Sequence, residues 1–574
     1  MHDEWGIRDG YYDIEGSWHP TPDETRDRLR RSMGTPATGV PLWFVAEGQG
    51  HVLWNPCRIV LEDGTELGPL HELPPDLPIG YHDLAPADGS ESTRLIVHPS
   101  CCPPLPRASG ASAQLYALWS DRSWGIGDLG DLRTLAISLR RGGGSAILVS
   151  PLHQPAPATP QEDSPYYPST RRAWNPLLLA IDAPPPADLV CHPDDLIDRD
   201  AVWSAKRAAL ERRFDSEVRS APALQPPTRK STPTTPPTPT TARTAPPSSV
   251  AAWNALCDEH GSDWTRWPDD VRRYDPVVIA TRCAEDEAFA HRAEFHDWCQ
   301  GLMGDQLQDV TASDVRIIGD LAIGFSPSGA DAWEFQDLLA LDMRLGAPPD
   351  PFNQEGQEWG IPPFVPWRLR AAAYRPFIDT IRCALRGVHG LRMDHVMGLF
   401  RQFWIPAGSK PEEGAYVTFP ADELLAIVCL EATRAAAFVI GEDLGTVEEG
   451  VREQLAACNV AGTKVLLFEE QPPNEWTANC LATVTTHDLP TVAGLLTGTD
   501  GTRDLIERVR AVTDAPSVDG AIAAVHRALL ASPAALRLVS VDDVAMALER
   551  PNHPGTIDRP NWRRRLPVSV DQIM

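Results

Sequence analysis

Three short runs in the chain each set an acid at the end of an apolar stretch. They are "GLRMDHVMGL" (390–399), "AAFVIGEDLGTV" (436–447) and "ATVTTHDLPT" (482–491), and the acids are Asp394, Glu442 and Asp488. Written as a strand, alternate residues share a face, so Arg392 and Asp394 point one way while Leu391 and Met393 point the other. Burying a carboxylate beside a guanidinium is costly unless the pair has a task or a full set of partners. One aspartate just past a strand commonly caps the following helix, and Asp443 in "GEDLGTV" is placed to do so. Three acids on three strand ends ask for more. Like charges converging on one cleft raise pKa values and destabilise the fold, so a chemical role explains them better than capping does. Arg392, His395 and His487 accompany them.

Other chemistries lack their residues. The chain has no G-x-S-x-G elbow for a serine nucleophile and no H-E-x-x-H zinc motif. "RRGGGSA" (140–146) is glycine-rich without the Lys-Ser/Thr of a phosphate loop, and reads as a link from a helix into the first barrel strand. Eleven cysteines contain no C-x-x-C pair, which gives neither a zinc site nor a disulfide framework and fits a reduced, cytoplasmic compartment. Carboxylate-pair chemistry remains, with glycoside cleavage as its leading example. Trp124, Tyr166, Tyr167, Trp174, Trp333, Trp359, Trp367 and Trp404 fall near loops or strand ends. Flat rings of this kind stack on the apolar faces of sugars, and each serves equally well as core.

Composition narrows the partners. A formal net charge of −28 over 574 residues, with a pI near 4.9, argues against nucleic acid. No window approaches the ~20 apolar residues of a membrane span, and the first residues are acidic and polar rather than leader-like.

The elements that would position the acids follow from pattern. Residues 1–36 hold a helix, with Thr21 as cap, Pro22 in the first turn and Glu24 at the capping-box position. Residues 37–108 are short apolar runs broken by turns, including "EDG" at 62–64, and predict a β-sandwich-like domain. From 109 to 574, near-continuous apolar runs alternate with helical stretches. That pattern predicts an α/β fold, a (β/α)8 TIM barrel with large helical insertions. In such a barrel the active site lies at the C-terminal ends of the strands. The Pro/Thr-rich tract at about 220–249 has no aromatic residues and predicts a disordered loop within an insertion.

At this point the chain resembles a known family. The three runs are similar to the catalytic motifs of 4-α-glucanotransferases of the amylomaltase (disproportionating enzyme) type, glycoside hydrolase family 77. "RSWGIGDLGDL" (122–132), "DSPYYPSTRRAWNPL" (163–177), "IGDLAIGFSPSGADAW" (318–333), "GAPPDPFNQEGQEWGIPPFVPW" (346–367) and "DRPNWRRRLPV" (558–568) extend the likeness over most of 113–570. "LPIGYHDL" (77–84) resembles the β-rich extension of the longer bacterial members, while the Pro/Thr tract departs from the family pattern.

The resemblance implies roles. Asp394 would be the nucleophile, Glu442 the general acid/base and Asp488 the transition-state stabiliser. Arg392 would hold Asp394 ionised and oriented, His487 would bind the same sugar, and Asp320 would shape the site. Ser164, Tyr166, Gln357 and Trp359 would line the donor or acceptor groove. The implied reaction is retaining transfer of an α-1,4-glucan segment through a β-glucosyl-aspartate, between maltooligosaccharides, glucose and glycogen, with no metal and no organic cofactor. Two alternatives stay open at this stage. One is an α-amylase-type hydrolase or phosphorylase, and the other is a silent glucan-binding protein on the same scaffold. The N-terminal β-region is expected to buttress the barrel.

Overall fold

The computed structural model describes residues 2–13, 16–37, 39–220, 247–349, 354–445 and 447–573. Eight parallel strands form the barrel: β1 (Ala108–Ala113), β2 (Ala146–Val149), β3 (Arg316–Leu321), β4 (Gly390–Met393), β5 (Phe438–Gly441), β6 (Gly462–Val465), β7 (Cys480–Thr483) and β8 (Leu536–Ser540). Their hydrogen-bonded order is β5-β4-β3-β2-β1-β8-β7-β6. A parallel bridge between Ile440 and Ala461 joins β5 to β6 and closes the ring.

Seven of the strands are the apolar runs read from the sequence; most are buried on both faces as a helix-covered parallel sheet requires, while β6 and β8 are fully buried only at alternate residues. The eighth, β1, is "ASGASA", and it displaces "AILV" from first strand to second. Its small residues have a packing cause: a Cβ on Gly110 would come within 1.7 Å of the Ala146 carbonyl oxygen on β2. Helices Leu129–Arg141, Glu287–Thr311, Arg375–Leu385, Ala421–Arg434, Val451–Ala457 and Val518–Ala531 cover the outside. Between β6 and β7, among the described residues, the crossover carries only the short 3-10 turn Pro473–Glu475.

Two insertions rise above the barrel's C-terminal end. One, between β2 and β3, carries helices Arg199–Ser220, Ser249–His260 and Pro276–Glu285. The other, drawn jointly from the β3–β4 and β4–β5 connections, is a four-stranded antiparallel sheet with strands Gln357–Glu358, Met343–Ala347, Arg401–Pro406 and Ala415–Thr418 in that spatial order. The Pro/Thr tract lies, from 221 to 246, outside the described residues.

The N-terminal helix runs Asp23–Met33, with Pro22 rather than Thr21 in the capping position. The Thr21 hydroxyl instead donates to the Arg8 carbonyl, so the expected capping box does not form. The N-terminal β-region is a five-stranded sheet over Leu42–His98, with the hairpin turn at 62–64 as read. One face closes over Ile59, Leu73 and Leu95. The other lies on helix Ala421–Arg434, where the Tyr81 hydroxyl donates to the buried Glu431 at 2.7 Å and Arg382 pairs with the same carboxylate at 2.9 Å. Among the described residues no helix is long and apolar enough to cross a membrane.

Candidate active site

Register brings the first two charges together. On adjacent strands Asp320 stands directly opposite Arg392, and the guanidinium donates to Asp320 Oδ1 at 2.6 Å. Its other arm reaches Asp394 Oδ1 at 3.1 Å, just past the end of β4. The backbone turns sharply here: His395 is left-handed, with φ 45°. That turn aims the N–H of His395 at Glu442 Oε2, 3.0 Å away, at the end of β5. Glu442 Oε1 accepts a second backbone N–H, from Leu444, at 2.7 Å. The two acids are therefore tied by one residue, since the amide following Asp394 carries Glu442.

The third acid comes by another route. Tyr166 donates its hydroxyl proton to Asp320 Oδ2 at 2.7 Å and lies 3.1 Å from His487 Nδ1. The phenol has only that one proton to give, so Nδ1 must carry a proton to complete the second bond. His487 Nε2 faces Asp488 Oδ2 at 3.4 Å. Asp488 Oδ1 accepts from the Asn552 amide at 2.7 Å, and the Asp488 carbonyl accepts from Arg550 at 2.8 Å. An unbroken chain thus runs Asp394–Arg392–Asp320–Tyr166–His487–Asp488.

The electrostatics divide the acids. Burial pushes Asp394 up to about 6, reinforced by Asp320 and Glu442 and opposed by Arg392. Arg392 orients the nucleophile candidate without holding its pKa low, because burial and the neighbouring Asp320 and Glu442 outweigh it. Burial also raises Glu442, against Arg392 and the two backbone N–H groups. Burial alone would raise Asp488, but His487, Asn552 and Arg392 together bring it below the ordinary carboxylate value. His487 moves the other way, raised by Asp488 against the effect of burial. Pairs of acids whose surroundings push their proton affinities apart mark acid/base sites.

The family model for glycoside hydrolase family 77, 4-alpha-glucanotransferase, matches residues 113–570. The chain belongs to this family. The 4-alpha-glucanotransferase of Mycobacterium tuberculosis is 38% identical over 570 residues, covering 86% of this chain and 76% of that protein. That of Haemophilus influenzae is 33% identical over 463 residues, covering 73% and 65% respectively. Among solved structures, amylomaltase from Corynebacterium glutamicum superposes with a TM-score of 0.77 at 27% identity, covering 99% of this chain and 96% of that one. Amylomaltase from Streptococcus agalactiae, solved with acarbose, shares the fold at a TM-score of 0.62 and 18% identity, over 80% of this chain and 95% of that one.

The remaining residues that the glucanotransferase motifs nominated sit at varying range. Trp359 meets the His395 ring edge-on at 5.4 Å, and its indole N–H donates to Gln357 at 3.0 Å. Gln357 is in the edge strand of the antiparallel sheet and Trp359 directly follows it, so this edge packs against the residue after Asp394. Ser164 turns inward, its hydroxyl accepting the Tyr166 N–H at 3.2 Å, so it shapes the turn that presents the phenol. Trp124, Trp174, Trp333 and Trp404 are core. Asp443 is no helix cap: it accepts the Thr463 N–H at 2.8 Å and pairs with Arg452 at 2.9 Å, bracing the β5–β6 seam. A cavity at the strand ends is shared by Tyr166, Asp320, Arg392, Glu442, His487 and Asp542.

Sequence reasoning missed Asn552, Arg550 and Trp562. The indole of Trp562 lies 5.4 Å from Tyr166 and 5.3 Å from His487, completing an aromatic stack. Trp562 stands inside a matched motif, but Asn552, in "ERPNHPG", follows no strand end and has no signal of its own.

Proposed function

We propose that this family 77 glucanotransferase works by double displacement on α-1,4-glucans, with Asp394 as nucleophile and Glu442 as general acid/base. The observation that carries this reading is the hydrogen bond from the His395 N–H to Glu442, which fixes the acid beside the nucleophile. In the first step an Asp394 oxygen attacks the anomeric carbon. The glycosidic C–O bond breaks, its electron pair stays with the leaving oxygen, and Glu442 protonates that oxygen. In the second step Glu442 takes the proton from the 4-OH of an acceptor glucan, whose oxygen displaces Asp394. Two inversions give net retention, the outcome of carboxyl groups about 5–5.5 Å apart. Asp488, kept ionised and with its side chain partly exposed, binds hydroxyls of the same sugar with His487. Trp359 and Gln357 line the groove for further sugars. Maltooligosaccharides are the donors, and glucose or longer maltodextrins and glycogen the acceptors.

The test is the product ladder from pure maltotriose, with reducing ends counted. Longer and shorter maltodextrins plus glucose at constant reducing ends support transfer. A steady rise in reducing ends makes the protein a hydrolase and overturns the reading, and no turnover returns it to a glucan-binding scaffold.

The pH profile follows from the same assignment. Transfer falls on the acid side through about pH 6, where Asp394 takes up its proton. It falls on the alkaline side as Glu442 loses the proton that burial secures. The two limbs belong to the pair, and a kcat/KM profile lacking the acid limb near that value counts against Asp394.

A further inference from the structure

The Tyr166–His487–Trp562 cluster is held from behind by a buried residue that does not line the strand-end cavity. Trp562 is a bulky residue in the left-handed region, with φ 63°. A backbone of this kind persists only where its surroundings over-determine it. Its N–H is bonded to the Pro551 carbonyl at 2.9 Å. Its own carbonyl accepts from Arg199 Nη2 at 2.7 Å.

Arg199 opens the insertion helix Arg199–Ser220 and is 6% exposed. Its other arm donates to Asp163 Oδ1 at 2.8 Å, at the start of the turn that presents Tyr166. Its guanidinium also lies 5.2 Å over the ring of Tyr116, which itself meets Trp562 edge-on at 6.2 Å. The neighbouring helical residues grip the same turn: Asp200 accepts the Gln161 N–H at 2.6 Å, and the Trp203 indole donates to the Pro157 carbonyl at 2.8 Å. One helix end thus fixes the two rings, Tyr166 and Trp562, that both pack on His487 and on each other.

We infer that Arg199 is a positioning residue for glucan transfer, clamping the Asp163–Tyr166 turn to Trp562 so that Tyr166 stays on Asp320. The consequence passes along the chain of hydrogen bonds and ion pairs. If Tyr166 withdraws, Asp320 loses a donor and draws Arg392 more strongly. Asp394 then keeps less of that guanidinium and holds its proton to higher pH. This last step rests on the reading of Asp394 as the ionised nucleophile, whereas the clamp itself does not.

The experiment compares Arg199→Met, Arg199→Lys, Asp163→Asn and Arg207→Met in the full chain, measuring kcat, KM, the acid limb of the pH profile and Tm. Arg207 lies on the same helix but pairs with Asp258 at 2.6 Å, away from the stack, and serves as the structural control. Arg199→Met lowers kcat by roughly ten- to a hundredfold, the usual penalty for misplaced catalytic groups. It changes KM less and moves the acid limb upward. Arg199→Lys restores most of the loss. Asp163→Asn, which strips the charge from one arm at a half-exposed carboxylate, gives a smaller change of the same sign and decides the matter if Arg199→Met fails to fold. Arg207→Met lowers Tm alone. Wild-type kcat and limb in the Arg199→Met and Asp163→Asn variants overturn the inference, and so do equal shifts in Arg207→Met. A kcat loss without a limb shift sustains the clamp and counts against the Asp394 assignment instead.

Discussion

Asp394→Asn abolishes transfer and makes the protein more stable. Loss of a nucleophile that has no neighbour able to replace it costs on the order of 10⁴-fold or more in kcat. The stability gain follows from the raised pKa. In the unfolded chain this carboxyl titrates near the ordinary ~4, while in the fold burial holds it at about 6. The folded protein therefore binds the proton more tightly, and its stability falls as pH rises through that window. Above it, the buried charge carries a penalty on the order of 2 kcal/mol, a figure that allows for a side chain still 21% exposed. Asparagine removes the charge and keeps the shape. The variant should melt above wild type at about pH 8, and the gap should narrow by roughly half at about pH 5. A variant that melts lower at both values would mean that the Arg392 ion pair outweighs burial.

Arg392→Met also lowers transfer, but acts in the opposite sense on stability. It leaves Asp320 and Asp394 facing one another without their shared cation. Breaking a buried pair by removing one partner costs about 3–5 kcal/mol, because the remaining charge is uncompensated. Here two carboxylates are left, so one of them must take up a proton. Asp394 becomes the harder to ionise, its acid limb moves upward, and transfer at neutral pH drops steeply. Adding Asp320→Asn removes one of the stranded charges and should recover much of the folding stability, as a double-mutant cycle would show. Activity should not return with it, because Asp394 still lacks the guanidinium that orients it. Recovery of both together would mean that Arg392 serves the fold alone.

The legibility of this site in the sequence was uneven for physical reasons. Asp394, Glu442 and Asp488 stood out because a parallel strand is apolar on both faces, so a polar residue at its end is conspicuous. Strand β1 carried no such contrast, since its Ala, Ser and Gly residues answer to a neighbouring backbone rather than to a hydrophobic layer. The link from Tyr166 to Asp320 spans two distant segments that no local pattern joins. Asn552 and Arg550 come from irregular chain after β8, where neither period nor cap marks a residue. The roles of the acids came from the family resemblance. The geometry adds the ties between them, above all the amide after Asp394 that seats Glu442. The misread cap at Thr21 has a simple origin: a threonine hydroxyl near a helix start can bond outward as readily as inward, and here it bonds to Arg8.

The strand order also bears on how the protein is made. β1 lies between β2 and β8, pairing with β8 from Leu536 opposite Ala108 to Ser540 opposite Ser112. A chain emerging from the ribosome can lay β2 to β5 side by side early, and with them Asp320, Arg392, Asp394 and Glu442. It cannot complete the ring until β8 arrives, with Asn552 and Trp562 close behind it. Until then Asp488 has no amide to hold it and the aromatic stack lacks its outer ring. Closing the ring and holding Asp488 thus depend on one short stretch of chain, β8 and the residues that follow it.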